Sequence, residues 1–283
     1  KETFCLQSFS SIAKRFGVSV TSIIRWFDNL NYPHPKLPEC IAIDELRGNA
    51  GGEKFQCNIA DPVKHQVIDI LPSRNTENLC KHFLEYPYKE RAAVKKIVMD
   101  LSNLFRSVAK TMFAEAKIVA DKFHVIRAVI NSLENVRKRI QKEFHATKRK
   151  WFKRSRYLLL KPEYKLTSED KTELARMLNS SYDLEKAYVL KERFYEVFRK
   201  QTRTEAKKEL GKWLLLAADL SLPEFRHCIT TFSNWKTEIA NIIGERVSNG
   251  FIEGSNNKIK VLKRISYGVQ NFDRFRNRIL YLQ

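Results

Sequence analysis

The sequence predicts an α/β protein: a mixed five-stranded sheet, a long all-helical stretch after it, and a pair of short helices ahead of it. Three observations carry this reading. Five β-branched runs, CIAIDEL, EKFQCNIAD, KHQVIDIL, KKIVMD and AKIVAD, all fall between residues 40 and 121. The helical patterns RNTENLCKHFLEY and SNLFRSVAKTMF separate the third run from the fourth and the fourth from the fifth. After residue 122 only helical periodicity continues.

The first element is FSSIAKRFGVSVTSIIRWFDNL, residues 9 to 30. Its two apolar-periodic segments flank Gly17, with Ala13 small enough for close helix packing and Ile23 as the anchor of the second helix. This spacing predicts a helix-turn-helix over residues 1–35, with Thr21, Ser22 and Arg25 facing DNA. The chain begins at Lys1, not Met, so the unit is expected to be truncated at its N-terminus. A proline-rich joint, NYPHPKLPE, then ends it.

Turn signals at Gly48 to Gly52 and at Asp61-Pro62 join the first three runs as consecutive antiparallel strands. Ser102 is placed to cap the helix after the fourth run. The order is β-β-β-α-β-α-β. A three-stranded meander followed by two crossovers that give parallel neighbours is a ribonuclease-H-like arrangement. Residues 39–125 are its first part, 126–243 a helical insertion, and 244–283 its C-terminal helices.

The 283 residues carry 52 Lys and Arg against 32 Asp and Glu, a net charge of +20. Such a charge repels the compact chain unless an anionic partner neutralises it, which points to nucleic acid before a membrane surface. Residues 137 to 165 concentrate twelve Lys or Arg against Glu143 and Glu163. Arg149, Lys150, Lys153 and Arg154, interleaved with Trp151 and Phe152, are the expected phosphate contacts. No segment has the apolar length of a membrane span, the cationic segments lack an interfacial apolar stripe, and the start has no signal-peptide pattern, so a cytoplasmic, nucleoid-associated protein is expected. The five cysteines are scattered, with neither a disulfide framework nor a C-x-x-C pair.

Two acids stand out. Asp44 ends the first strand pattern and Asp100 the fourth, and these strands are neighbours in the predicted sheet. Two such carboxylates repel each other and require a divalent cation between them. On a helix over about 250 to 264, Glu253, Asn257, Lys260 and Arg264 share one face, while Ile252, Ile259 and Leu262 point to the core. With Lys263, that helix offers a third metal-binding acid followed by phosphate-binding groups. Glu45 follows Asp44 and is expected on the opposite face of the strand. Asp61, Asp69, Asp183 and Asp219 are expected at turns, strand ends or caps. Asp121 and His124, spaced D-x-x-H, are too weak a pattern for a metal site and are expected to support the active site by hydrogen bonding.

IAIDE around Asp44, VMDLS around Asp100, IVADKFHV at 118–125 and SNGFIEGSNNKIKVLKRISYGVQNFDRFRNRIL at 248–280 resemble the DDE transposases of bacterial insertion sequences, specifically the ISL3 family. The resemblance covers nearly the whole chain. It implies a ribonuclease-H-like core interrupted by a helical insertion, with Asp44, Asp100 and Glu253 as catalytic, metal-binding triad. Asp121 and His124 resemble the C/D-x-x-H motif of related transposases. It further implies two magnesium ions per site, replaceable by manganese, double-stranded transposon ends and target DNA as partners, and a homodimer or higher multimer. Neither a membrane nor a small-molecule substrate is expected. The implied reaction is hydrolysis at the transposon end followed by attack of the 3′-hydroxyl on target DNA. Family members carry a cysteine-rich zinc module ahead of the helix-turn-helix, which does not occur in this sequence. The alternatives are a transposon-derived DNA-binding protein that does not cleave, and a ribonuclease-H-like nuclease that cuts without joining.

Overall fold

A computed structural model describes residues 7–30, 32, 34–245 and 249–281. It divides into two compact units, Lys1–Val119 with Arg246–Gln283, and Ala120–Glu245.

The first unit begins with helices α1 (Phe9–Phe16) and α2 (Val20–Asp28). Ser8 and Ser19 cap them, each hydroxyl accepting the backbone N–H three residues on. Gly17 closes α1 at φ 64°, a left-handed turn that lets its N–H reach the last carbonyls of the helix. Ile12, Ala13 and Ile23 form the small core between the two helices, with Phe9 and Val18 packed on it.

The sheet follows: β1 (Cys40–Leu46), β2 (Gln56–Asp61), β3 (Gln66–Leu71), β4 (Lys96–Met99) and β5 (Lys117–Ala120), in the order β3-β2-β1-β4-β5. β1 pairs antiparallel with β2 and parallel with β4. Gly48, just past β1, lies where a Cβ would meet the Gln56 side chain and the Phe275 ring, which explains the glycine at this position. Helices α3 (Thr76–Leu84), α4 (Tyr88–Ala92) and α5 (Asn103–Met112) lie in the connections. Asn75 caps α3, and Ser102 caps α5 at the position expected of it.

Two helices close the unit, α14 (Gly250–Ile265) and α15 (Phe272–Tyr281). Their apolar stripes, Ile259 and Leu262 on one and Phe275 and Ile279 on the other, form a single core with Leu46, Val67 and Ile70 of the sheet. α15 also holds the N-terminal pair. Arg274 donates to both carboxylate oxygens of Asp28, Phe27 meets Tyr281 edge-on, and Arg278 donates to the Gln7 carbonyl. The Arg274 guanidinium holds the Asp28 carboxyl below its usual value.

The second unit is helical: α6 (Lys122–Ile140), α7 (Ala146–Arg154), α8 (Arg156–Leu160), α9 (Ser168–Leu178), α10 (Tyr182–Tyr195), α11 (Arg203–Asp219), α12 (Arg226–Asn234) and α13 (Lys236–Ala240). The helical pattern that the sequence carries from about 123 to 160 forms three helices, α6, α7 and α8. Their breaks follow the cap residues, with the His145 ring accepting the Lys148 N–H at the start of α7. Thr167 with Asp170 and Thr202 with Glu205 form capping boxes at the starts of α9 and α11. The core centres on Phe194, Trp213 and Phe232, whose rings pack against one another. Trp213 donates its indole N–H to the Leu190 carbonyl at 2.8 Å.

Among the described residues, two cationic side chains lie inside this unit, Arg137 and Lys191. Lys191 is 1% exposed, and its ammonium donates to the carbonyls of Leu159 at 2.9 Å and Lys161 at 2.6 Å, beside the Glu192 carboxylate at 2.5 Å. Those carbonyls belong to the end of α8 and the residue after it, where helices leave acceptors unpaired. Burial pulls the Lys191 pKa down and the carboxylate opposes that shift. Lys191→Met strands both carbonyls and should lower stability by about 2–4 kcal/mol. A shift of the urea midpoint with little change in slope would show it.

Candidate active site

Chain register sets the position of the acids. Ile43 of β1 pairs with Met99 of β4, so Asp44 and Asp100 each follow one member of that pair on adjacent parallel strands. Asp44 does not end its strand as expected. β1 runs on to Leu46 because its antiparallel ladder with β2 continues through Asp44↔Asn58, Glu45↔Cys57 and Leu46↔Gln56 after the ladder with β4 has stopped. Asp44 therefore lies at the end of one ladder and inside another.

Strand alternation then sorts the side chains. Ala42, Asp44 and Leu46 share one face of β1. On that face Ala42 stands opposite Ala60 of β2, and Ile252 of α14 packs on the two alanines. Two methyl-sized side chains let a helix approach a sheet closely. The approach brings Asn256, one turn beyond Ile252, over Asp44. Its amide donates to Asp44 Oδ2 at 2.9 Å and accepts from the Asn58 amide at 2.8 Å. Asp44 Oδ1 accepts the Glu45 N–H at 2.8 Å. The Asp44 carboxylate is thus fixed in orientation by its own strand, β2 and α14 together.

Glu253 lies one turn before Asn256 on α14 and is exposed. Among the described residues, the oxygens of Asp44, Asp100 and Glu253 are not all gathered within 4.8 Å of one another. Glu45 turns away from the alanine face and pairs with Arg74. Cys57, buried near the start of β2, has its thiol pushed well up, first by burial and then by the charges of Asp44, Asp100, Asp69 and Glu45. The described cysteines, Cys40, Cys57, Cys80 and Cys228, are all free thiols; Cys5 lies outside the described residues.

The remaining expectations fall as follows. Asn257, Lys260 and Arg264 are exposed on α14 and Lys263 is partly so, while Ile252, Ile259 and Leu262 are buried. Thr21 and Arg25 are exposed on α2, and the Ser22 hydroxyl lies 2.9 Å from that of Ser19. Arg149, Lys150, Lys153 and Arg154 are all exposed on α7 of the second unit. Elsewhere in that basic stretch, Arg137 is buried against Glu134 and Arg139 bonds to Glu224 and Asp183, so neither is offered to a ligand. Asp121 caps α6 and bonds the His124 ring at 2.6 Å within the second unit. Asp61 accepts two turn N–H groups, and Asp183 and Asp219 begin and end helices. Asp69 differs from its expected place: it is buried within β3 and paired with Arg276 of α15. A fully buried acid needs such a partner.

Sequence reasoning missed Asn256. The available signal is its place on the inward stripe of α14, between Ile252 and Ile259, where a polar residue must find a buried partner.

The family model that matches this chain is that of ISL3-type DDE transposases, described as transposase, over residues 41–279. The chain belongs to the ISL3 family of transposases. The transposase of insertion sequence IS1001 from Bordetella parapertussis is 25% identical over 241 residues, 84% of this chain and 59% of that protein. The transposase of IS1557 from Mycobacterium tuberculosis is 27% identical over 254 residues, 82% of this chain and 57% of that protein. A shorter match, 35% identical over 94 residues and a third of this chain, is to an ATP-dependent protease of Lactococcus lactis. The chain thus spans just under three-fifths of the length of the two transposases. Its mixed five-stranded sheet with many helices is compatible with a ribonuclease-H-like transposase domain. Among the described residues, no helix is long and apolar enough to cross a membrane.

The Asn256 bridge makes a pH-dependent prediction. Asn256→Asp replaces the amide donor with a second carboxylate against Asp44, so one acid of the pair has its folded pKa raised above the unfolded value of about 3.9. A raised folded pKa contributes stability below the unfolded pKa and loses it as pH rises through the folded value. Urea unfolding should therefore show a deficit against the parent at pH 7 that shrinks toward pH 4. A pH-independent deficit would mean that Asn256 acts by shape alone.

Proposed function

We propose that this chain carries the catalytic core of a transposase that binds transposon terminal inverted repeats, cleaves DNA there and transfers the freed strand through Asp44, Asp100 and Glu253. The observation that carries this is the shared register of Asp44 and Asp100 on adjacent parallel strands, with Glu253 one turn from the asparagine that bonds Asp44. The donor set fits magnesium, with manganese as substitute: carboxylate oxygens are the hard ligands such ions prefer. Two bound ions would supply a deprotonated water and charge stabilisation on the leaving oxygen. The chain's own part is orientation. Asn256 and the Glu45 N–H fix Asp44, β4 presents Asp100, and the exposed, rotatable side chain of Glu253 approaches from α14.

DNA is held by groups around and beyond this site. Asn257, Lys260, Lys263 and Arg264 continue the helix that bears Glu253, so a phosphate backbone on that face meets cations within two turns of the acid. Residues 1–35 act as a helix-turn-helix in which Thr21 and Arg25 reach DNA, Ser22 being engaged with the α2 cap. Residues 126–243 serve as an insertion between core segments 39–125 and 244–283, and its α7 adds Arg149, Lys150, Lys153 and Arg154 as phosphate contacts. Asp121 and His124 brace the start of α6. The enzyme acts as a homodimer or larger assembly joining two transposon ends.

The test is strand cleavage and joining on a labelled duplex ending in the parent element's terminal repeat, with Mg²⁺, Mn²⁺ or EDTA. Glu253→Gln and Asp100→Asn should abolish both steps while DNA affinity stays level or rises slightly, because a negative charge beside phosphate has been removed. Binding without cutting under any metal would leave a DNA-binding protein; cutting without joining would leave a nuclease. Lys150→Ala with Lys153→Ala should weaken binding and flatten the slope of log affinity against log salt by about 2, since each phosphate contact contributes about 0.9. An unchanged slope would remove α7 from the DNA path.

A further inference from the structure

The proline-rich joint, the sheet and α3 converge on three side chains that the proposed reaction does not use. Asp69 of β3 is 1% exposed, and its Oδ1 accepts both the Arg276 Nε–H at 2.5 Å and the Ile70 N–H at 2.7 Å. Its Oδ2 instead faces two imidazoles, with His34 Nδ1 at 3.8 Å and His82 Nδ1 at 3.9 Å. Both separations are too long for hydrogen bonds. His82 is 6% exposed, and its Nε2 has no hydrogen-bond partner.

The geometry points to a transition-metal site, zinc above all, with His34 Nδ1, His82 Nδ1 and Asp69 Oδ2 as its protein ligands. One ligand atom from each of His34, Asp69 and His82 lies within 4.8 Å of those of the other two. Ligand atoms about 2.0–2.1 Å from a tetrahedral zinc stand about 3.3 Å apart, so each imidazole would close on Asp69 Oδ2 by about half an ångström when the ion binds. The surroundings match what such a site requires. His34 Nε2 lies 3.4 Å from the Glu85 carboxylate, the arrangement in which a ligating histidine donates its far N–H to an acid. Arg276 and the Ile70 N–H occupy Asp69 Oδ1 and leave Oδ2 for the ion. Tyr86 meets both imidazoles edge-on and walls one side. His34 is half exposed, which leaves a path for the ion and a fourth position for water.

Imidazole nitrogens select zinc, cobalt or nickel over magnesium, so this ion is chemically separate from those of the carboxylate triad. Its ligands come from the joint after α2, from β3 and from α3. A bound ion would therefore tie the joint to the sheet and add its binding energy to folding.

The experiment uses tag-free protein, stripped with chelator, carrying Asp44→Asn and Asp100→Asn so that the triad does not compete. Zinc titration by calorimetry should give one equivalent and raise Tm, and cobalt should produce the strong visible bands of a tetrahedral site. His34→Gln should remove the bands and lower zinc affinity at least 100-fold, while its metal-free melting curve matches the parent. Glu85→Gln, which touches no ligand position, should weaken zinc about 10–100-fold. Equal zinc affinity in parent and His34→Gln, or no tetrahedral cobalt spectrum, overturns the site and leaves a histidine–aspartate charge cluster.

Discussion

The first unit depends on how closely α14 approaches the sheet. Ala42 and Ala60 face each other across β1 and β2, and Ile252 fills the shallow space above them. Any larger side chain at either alanine would lift the helix, and close-packed interiors do not absorb such volume without strain. Every polar contact of the candidate site on this face lies downstream of that seat. Asn256 reaches Asp44 and Asn58 because Ile252 is docked, and Glu253 lies one turn before Asn256 on the same helix.

The Asn58–Asn256–Asp44 chain adds direction to this apolar seat. Apolar packing alone tolerates small slides of a helix along a sheet, whereas a buried amide is satisfied at one register only. Asn256 has a donor and an acceptor on the same end of its side chain, and the two neighbours take one each. An aspartate on β1 held by a helix amide and by its neighbour's backbone N–H keeps one orientation.

Much of this was legible in the sequence because the signals are local. Alternating β-branched runs give five strands, Gly17 gives the turn between the first helices, and Ser102 gives the cap of α5. The spacing of Ile252, Ile259 and Leu262 gives the inner face of α14. The long helical pattern over 123 to 160 does not show its breaks, since a cap such as His145 breaks a helix without disturbing apolar periodicity. Asp44 falls inside its strand because strand length is decided by the partner, and β2 extends the pairing three residues beyond β4. The spacing of Ile252 and Ile259 marks Asn256 as inward-facing, but its partners, like the grouping of His34, Asp69 and His82, depend on segments far apart in sequence.

The charge of the chain gains meaning from the same placement. Within residues 137 to 165, Arg137 and Arg139 bond to internal acids, whereas Arg149, Lys150, Lys153 and Arg154 of α7 are exposed. On α14 the division falls along the helix: the inner stripe is apolar apart from Ser255 and Asn256, and the outer one is cationic after Glu253. A single helix thus separates its packed residues from its exposed ones by rotation and its acid from its bases by rise. A phosphodiester lying along it would meet carboxylate at one end and cations at the other, and would need no lid or cleft to be oriented.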